Sequence, residues 1–211
     1  MRTDRVIFRS ILTTLVSVIA LFGVMLLLLC LIFPATMMEI TFDLGMMKSS
    51  EKYAGKAYNR TGDVYYAARA METSVLLEDM AKIEENGLLF IQDDEFLEYC
   101  QIRNESVAKD NETAKEDEKI SSTYQQYVFG QVTMAQYAQG KKTEAIGTAF
   151  ASLGGGFPKN NAAAWLYLTA NKTGDTDTAL VIKTKLETLL TSELPEADKE
   201  YLQKILGSAN A

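Results

Sequence analysis

The sequence predicts an all-α protein: one N-terminal transmembrane helix followed by a domain of antiparallel helix pairs. Three observations point there. Ile11 to Phe33 is an uncharged run of 23 residues. Beyond it, apolar residues recur at helical spacing, with few β-branched runs and many alanines. Prolines number only three in 211 residues.

The apolar run comes first. As a helix rising about 1.5 Å per residue, it reaches roughly 34 Å, enough to cross a hydrocarbon core of about 30 Å. Its polar residues Thr13, Thr14 and Ser17 can bond back to helix carbonyls. Arg2, Arg5 and Arg9 precede it, and Glu39 and Asp43 are the first charges after it. A basic flank of this kind stays in the cytosol. The expected topology is therefore a single-pass cell-membrane protein, with residues 1–10 cytoplasmic and the C-terminal domain extracytoplasmic. A cleaved leader is the rival reading, but its apolar region is usually about 7–15 residues long and ends at a small-x-small site. Here Phe33 stands before Pro34-Ala35-Thr36 where a small residue is wanted. Cys30 is a poor lipidation site, because Leu28-Leu29 precede it and Leu31-Ile32-Phe33 continue the run.

Residues 34–47 read as a juxtamembrane spacer suited to the lipid–water boundary, and residues 48–206 as the helical domain. Its first helix runs from Lys48 to Asn59 and closes at Thr61-Gly62. Asp63 opens a long second helix, with Ala67, Ala70, Met71, Ser74, Leu77 and Ala81 on one face, ending near Asn86-Gly87. Asp93 or Asp94 caps a shorter helix carrying the stripe Phe96, Leu97, Cys100. Residues 104–120 form a charged, solvated insertion, expected as loop or fraying helix. Ser121 or Ser122 caps a helix with Tyr124, Tyr127, Val128, Val132, Ala135 and Tyr137, running to Gly140. Thr143 caps the next, with Ala145, Ile146, Ala149 and Phe150 inward, ended by Gly154-Gly155-Gly156. Asn161 starts a helix through Trp165, Leu166 and Leu168 to Thr173-Gly174. Asp175 begins another with Ala179, Ile182, Leu186 and Leu189. Pro195 occupies the first position of the last, Glu196 to Leu206.

Composition narrows the chemistry. Without Arg2, Asp4, Arg5 and Arg9 the outer part has 18 basic and 27 acidic residues, a net charge of −9. That balance excludes sequence-independent nucleic-acid binding, which needs a basic face. The chain has no histidine, which removes the commonest metal ligand and the usual general base. Cys100 is the only cysteine outside the apolar run, so no disulfide staples the domain, and a buried small hydrophobe is the simplest reading of it. The Gly154-Gly155-Gly156 turn lacks the Lys-Ser/Thr of a phosphate loop. No cofactor, metal or catalytic residue is expected. Carboxylate chemistry on glycans would have to draw on Glu84, Glu85, Asp93, Asp94 and Glu95, which cluster at helix ends as caps do. Four N-x-S/T sequons, at Asn59, Asn104, Asn111 and Asn171, read as turn chemistry, with glycosylation in a eukaryotic lumen the alternative.

The turns contain a near-repeat. Asn59-Arg60-Thr61-Gly62-Asp63 matches Asn171-Lys172-Thr173-Gly174-Asp175 except for Arg against Lys, and Gln139-Gly140-Lys141 is a looser relative. An alanine follows each glycine by five residues: Ala67, Ala145 and Ala179. Gly140 and Gly174 lie 34 residues apart. The 78 residues from Gly62 to Gly140 leave room for two units and the charged insertion. A 34-residue helix–turn–helix unit with small residues at fixed points resembles the tetratricopeptide repeat. Ala54-Gly55-Lys56-Ala57-Tyr58, Gly62 and Ala67 carry the likeness in the first unit. Val132, Tyr137, Ala145 and Phe157-Pro158 carry it in the second, and Leu166, Ala170, Ala179 and Leu194-Pro195 in the third. Thr133 and Tyr167 stand where the family has a glycine.

The resemblance implies a non-catalytic interaction scaffold or adaptor whose groove holds a peptide or partner helix, the partner being a membrane or envelope protein. Carried over position by position, the groove residues are Lys52, Lys56 and Asn59 from the first unit, Tyr127, Met134 and Tyr137 from the second, and Leu168 and Asn171 from the third. A structural subunit of an envelope or secretion assembly is the alternative, followed by a carboxylate-based cell-wall glycan hydrolase. A retained anchor has a direct check. The full-length chain should stay with membranes through an alkaline carbonate wash and leave them only in detergent, whereas leader cleavage would yield a shorter, soluble product.

Overall fold

The repeated turn is built as its residues require. In the computed structural model, which describes residues 2–115 and 122–208 and the side chains from residue 8, helix α3 (Met47–Thr61) ends on Gly62 at φ 69°, and α9 (Ala162–Thr173) ends on Gly174 at φ 74°. Both sit in the left-handed region that glycine enters without a Cβ penalty. The next residue caps the following helix in both cases. The Asp63 carboxylate accepts from the backbone N–H of Tyr65 to start α4 (Val64–Leu76), and that of Asp175 accepts from Thr178 to start α10 (Thr176–Leu190). Such a cap contributes about 1 kcal/mol. Thr61 and Thr173 donate back to the carbonyls of Ala57 and Thr169. Connections this short leave consecutive helices side by side and antiparallel.

The described residues form eleven α-helices and no strand. The remaining ones are α1 (Arg2–Ile32), α2 (Pro34–Asp43), α5 (Met80–Ile91), α6 (Phe96–Thr113), α7 (Tyr124–Ala138), α8 (Lys142–Ala151) and α11 (Glu196–Ser208). From α2 onward, each packs mainly on its neighbours in the chain, and α5 packs directly on α7. Ala67 and Ala145 are fully buried and Ala179 nearly so, each at the same place in its helix. This close packing of successive helices is compatible with a helical repeat.

Helix α1 is a single apolar rod. Its stretch Phe8–Ile32 is 25 residues long, with nothing of the chain packed over it beyond the last turn. Core helices of soluble domains are covered; this one is not. Thr13 and Thr14 hydroxyls donate to the carbonyls of Arg9 and Ser10, so these two are satisfied within the helix.

Several elements differ from expectation. Residues 34–43 form helix α2 rather than a spacer. Met37 and Met38 are buried, Thr41 donates back to Met37, Ser50 donates to the Met38 carbonyl, and Tyr65 donates to Glu39. The long second helix is two. Glu78 adopts φ 54° and Asp79 caps α5 through Lys82 N–H. Neither residue carries the glycine signal that marks the other turns. Asn86-Gly87 is then not a terminus but the middle of α5. Asn86 is buried and donates to Glu51 and Ser74, tying α5 to α3 and α4. The charged insertion is helical through Thr113, so Asn104 and Asn111 lie within α6; residues 116–120 of that insertion, and Ser121 after it, lie outside the described residues. Thr123, not Ser122, caps α7, in a capping box with Gln126. Helix α8 begins behind Lys141 with no side-chain cap, so Thr143 falls inside it.

The core has two main clusters. One gathers Val64, Ala67, Met71, Phe90, Phe96, Cys100, Tyr124 and Val128. Leu97, expected beside Cys100, is exposed. Burial pushes the Cys100 thiol up to about 12, well above its ordinary range, which makes it inert. The other cluster runs from Ala145 to Ile205 around Phe157, Leu166, Ile182 and Leu202. Phe157 is fully buried; its N–H donates to Asp198 at 2.7 Å and its ring lies 5.7 Å from Tyr201, which clamps α11 against the glycine turn.

Close approach happens at Gly87, not at Gly55. A Cβ at Gly55 would meet open space, whereas one at Gly87 would lie 2.3 Å from Cγ2 of the buried, stiff Val132. Ala at a helix interior normally gains about 1 kcal/mol over Gly. Here overpacking outweighs it, and Gly87→Ala should destabilise the domain by about 1–3 kcal/mol. Thermal or denaturant unfolding of Gly87→Ala and of Gly87→Ala/Val132→Ala checks this, because the second substitution makes room and should recover part of the loss.

Candidate functional site: a neutral aromatic groove

Helix α7 presents two faces. Val128, Val132 and Ala135 face the core. Tyr127, Gly130, Gln131 and Met134, at helical spacing on another face, line an open cavity of about 410 Å³. Helix α9 closes the opposite wall with Ala164, Trp165 and Leu168, and Tyr201 of α11 forms one end. Asn161 caps α9 by accepting from Ala164 N–H and donates to the Pro158 carbonyl, which fixes the wall's starting point. Gln126 donates to the Lys159 carbonyl across the top, joining α7 to the α8–α9 connection.

Among the described residues, the lining has no charged side chain. It offers aromatic rings, Met134, Leu168 and the amide of Gln131. Trp165 and Leu168 are each 37% exposed, large apolar groups held at the surface rather than in the core. Gly130 adds room, since no protein atom lies within 4 Å of where its Cβ would be. Such a surface suits a ligand that is itself uncharged and partly apolar, with an amide to meet polar backbone.

Of the expected groove residues, the structure brings together Tyr127, Met134 and Leu168. Burial and the Glu72 charge beside it raise the Tyr127 phenol, so it stays neutral. Tyr137 lies at the other end of α7. It donates to Asp175 at 3.1 Å, lies 3.2 Å from the Thr173 hydroxyl and packs on the C-terminal core. Asn171 is exposed, and its amide is tied back to the Tyr167 carbonyl. Lys52, Lys56 and Asn59 are exposed on α3, which packs on α2 and α4 and contributes nothing to the cavity lining. Lys56 instead lies over the Tyr53 ring at 5.2 Å. Trp165 and Tyr201 are the groove residues that sequence reasoning missed. The sequence places Trp165 on the same helix as Leu166 and Leu168 without separating their faces, although Ala164, Trp165 and Leu168 share a 3–4 spacing that offers a signal.

None of the acidic residues considered for glycan chemistry lines this cavity, and Glu84, Glu85 and Asp93 have structural partners. Glu84 bonds Lys141 and Gln139, which outweigh the burial that would raise it and hold it below the usual carboxylate range. Glu85 pairs with Lys82, and Asp93 accepts the Tyr58 hydroxyl at 2.7 Å.

The chain matches no protein-family model, and no curated protein or solved structure matches it significantly.

The repeated turn carries a pH signature. Lys142, at 2.8 Å, together with Thr178 and Tyr137, holds the Asp175 carboxyl down at about 2, below its ordinary value of 3.8. A carboxylate with a depressed folded value stabilises the fold fully above the unfolded value, and that contribution is lost as pH falls through the folded one. The window here is pH 4 down to about 2. Acid unfolding curves of the native chain and Asp175→Asn should converge across that window, the variant being less stable above it.

Proposed function

We propose that this chain is a membrane-anchored interaction protein. In this reading α1 crosses a cell membrane once with Arg2, Arg5 and Arg9 on the cytosolic side. The helical domain then stands on the extracytoplasmic side and presents its groove to an uncharged, partly apolar segment of a partner in the same membrane or envelope. The observation that carries the reading is the convergence of Tyr127, Met134, Trp165, Leu168 and Tyr201 on one cavity whose described lining has no charged side chain. Aromatic anchors at the centre of a neutral patch are what most interfaces use for binding energy.

The tetratricopeptide-like reading is supported by the 34-residue spacing of Gly140 and Gly174, the matched turns at Gly62 and Gly174, and the buried alanines that follow them. In solenoids of this kind, stacked pairs form a continuous binding surface rather than a catalytic centre.

The test uses the full chain crosslinked in native membranes beside Trp165→Ala/Leu168→Ala. Both side chains are partly exposed, so the fold should survive and a specific envelope partner should be lost, with affinity falling roughly 30-fold for a hot-spot pair. Equal recovery of that partner by the variant would reject the groove. Trp165 is the only tryptophan in the chain, so its emission should shift to the blue when a purified partner segment occupies the groove.

A further inference from the structure

A second cavity, of about 400 Å³, opens between α4, α6 and the start of α7, and its polar chemistry is of another kind. Arg69 Nη1 donates to Glu72 Oε2 at 3.2 Å. Arg103 Nη2 lies 3.5 Å from Glu72 Oε1, and that same oxygen accepts the Tyr124 hydroxyl at 2.7 Å. Both carboxylate oxygens are therefore engaged, and among the described residues that line the cavity the two guanidiniums and one carboxylate leave one positive charge. Aromatic rings hold both guanidiniums: Phe42 lies 4.4 Å from Arg69 Cζ and Tyr124 lies 5.3 Å from Arg103 Cζ. A guanidinium stacked on its face offers ligands its edge, where the N–H donors point. One of those donors, Arg69 Nε, is buried and has no acceptor among the described residues. An unmade bond to a buried cationic donor is costly, and a turn of the side chain that brings it to an acceptor in the cavity removes that cost.

We propose that this cavity binds a small organic acid, a carboxylate carried on a short apolar body. The carboxylate meets the edges of Arg69 and Arg103, and the body packs on Val75, Leu76 and Val107, which wall the cavity. Charge selects the class. A monoanion neutralises the trio, whereas a dianion such as phosphate leaves a surplus negative charge beside Glu72. Paired N–H donors fit the planar geometry of a carboxylate, and the apolar walls reward an acid with a hydrocarbon body over a bare ion. A cavity of this volume suits a small molecule. The site is positive within a domain of net charge −9, so capture depends on contact rather than long-range steering and weakens with salt.

The experiment uses full-length protein in neutral detergent with ¹⁵N-labelled arginine, following the Arg69 Nε–H resonance. Titrating 4-methylpentanoate should give a saturable shift. The isosteric 4-methylpentanamide, acetate and inorganic phosphate should each bind at least tenfold more weakly. Arg103, about half exposed, can be changed to Gln with little risk to the core, and Arg103→Gln should weaken the acid at least tenfold with unchanged helix content. Trp165→Ala, in the neighbouring groove and at a residue that does not line this cavity, should leave acid affinity intact. The proposal is overturned if the amide or phosphate binds as well as the acid, or if Arg103→Gln changes nothing. It is equally overturned if Trp165→Ala abolishes the shift, which would place the acid in the groove. The ligand series on the native chain decides the matter even if a variant fails to fold.

Discussion

The arrangement of the domain depends on one close contact, the backbone of α5 against Val132 of α7 at Gly87. The two core clusters are otherwise separate: one closes around Phe90 and Phe96, the other around Phe157 and Leu166. Helix α7 belongs to both. Tyr124 and Val128 enter the first cluster, while Tyr137 packs on the second. If α5 stood a methyl group further away, α7 would lose the packing that orients its outer face. The groove residues Tyr127 and Met134 share that helix with Val132, so their direction follows from the same contact. Interiors at crystal-like density transmit such displacements rather than absorb them.

Around that contact, buried polar groups fix the register. Asn86, one position before Gly87, spans from Glu51 on α3 to Ser74 on α4. Leaving any member unpaired costs more than the bond contributes, so this network holds the three helices in a single alignment. Arg60, on the last turn of α3, donates to the Ile32 carbonyl at the end of α1, which ties the apolar helix to the domain. The apolar helix and the domain are thus in direct contact, with α2 packed against both α1 and α3.

The sequence made the turns with a glycine legible, because a left-handed residue followed by Asp has one good structural solution. Gly62-Asp63 and Gly174-Asp175 both took it. The break between α4 and α5 was illegible for the complementary reason: Glu78 occupies the left-handed position with a side chain that favours helix, and tertiary packing overrides that preference. Gly87 was misread as a terminator because a helix-ending glycine and a close-packing glycine look alike until the opposing side chain, Val132, is known. The apolar character of Met37 and Met38 was plain, but composition alone does not say whether methionines face lipid or protein. In the groove, Tyr127, Met134 and Leu168 were reachable by position within a repeat. Trp165 and Tyr201 needed the crossing of α9 and α11. Lys52, Lys56 and Asn59 were assigned on the assumption that the first helix pair shares one concave surface with the third. In the structure α3 instead packs against α2 and α4, and the lysines are on solvent.

Tyr127 has a particular place in this geometry, since it lines both the neutral groove and the cavity holding Arg69 and Arg103. Its ring lies 5.8 Å from that of Tyr124, whose hydroxyl is spent on Glu72. The two surfaces therefore differ in charge while sharing a wall of stacked aromatic rings. Burial and the Glu72 charge raise both phenols, so neither ionises at neutral pH and neither adds a negative charge beside the guanidiniums. The two cavities are thus neighbours that share Ser122 and Tyr127 and differ in the charge of the residues that line them.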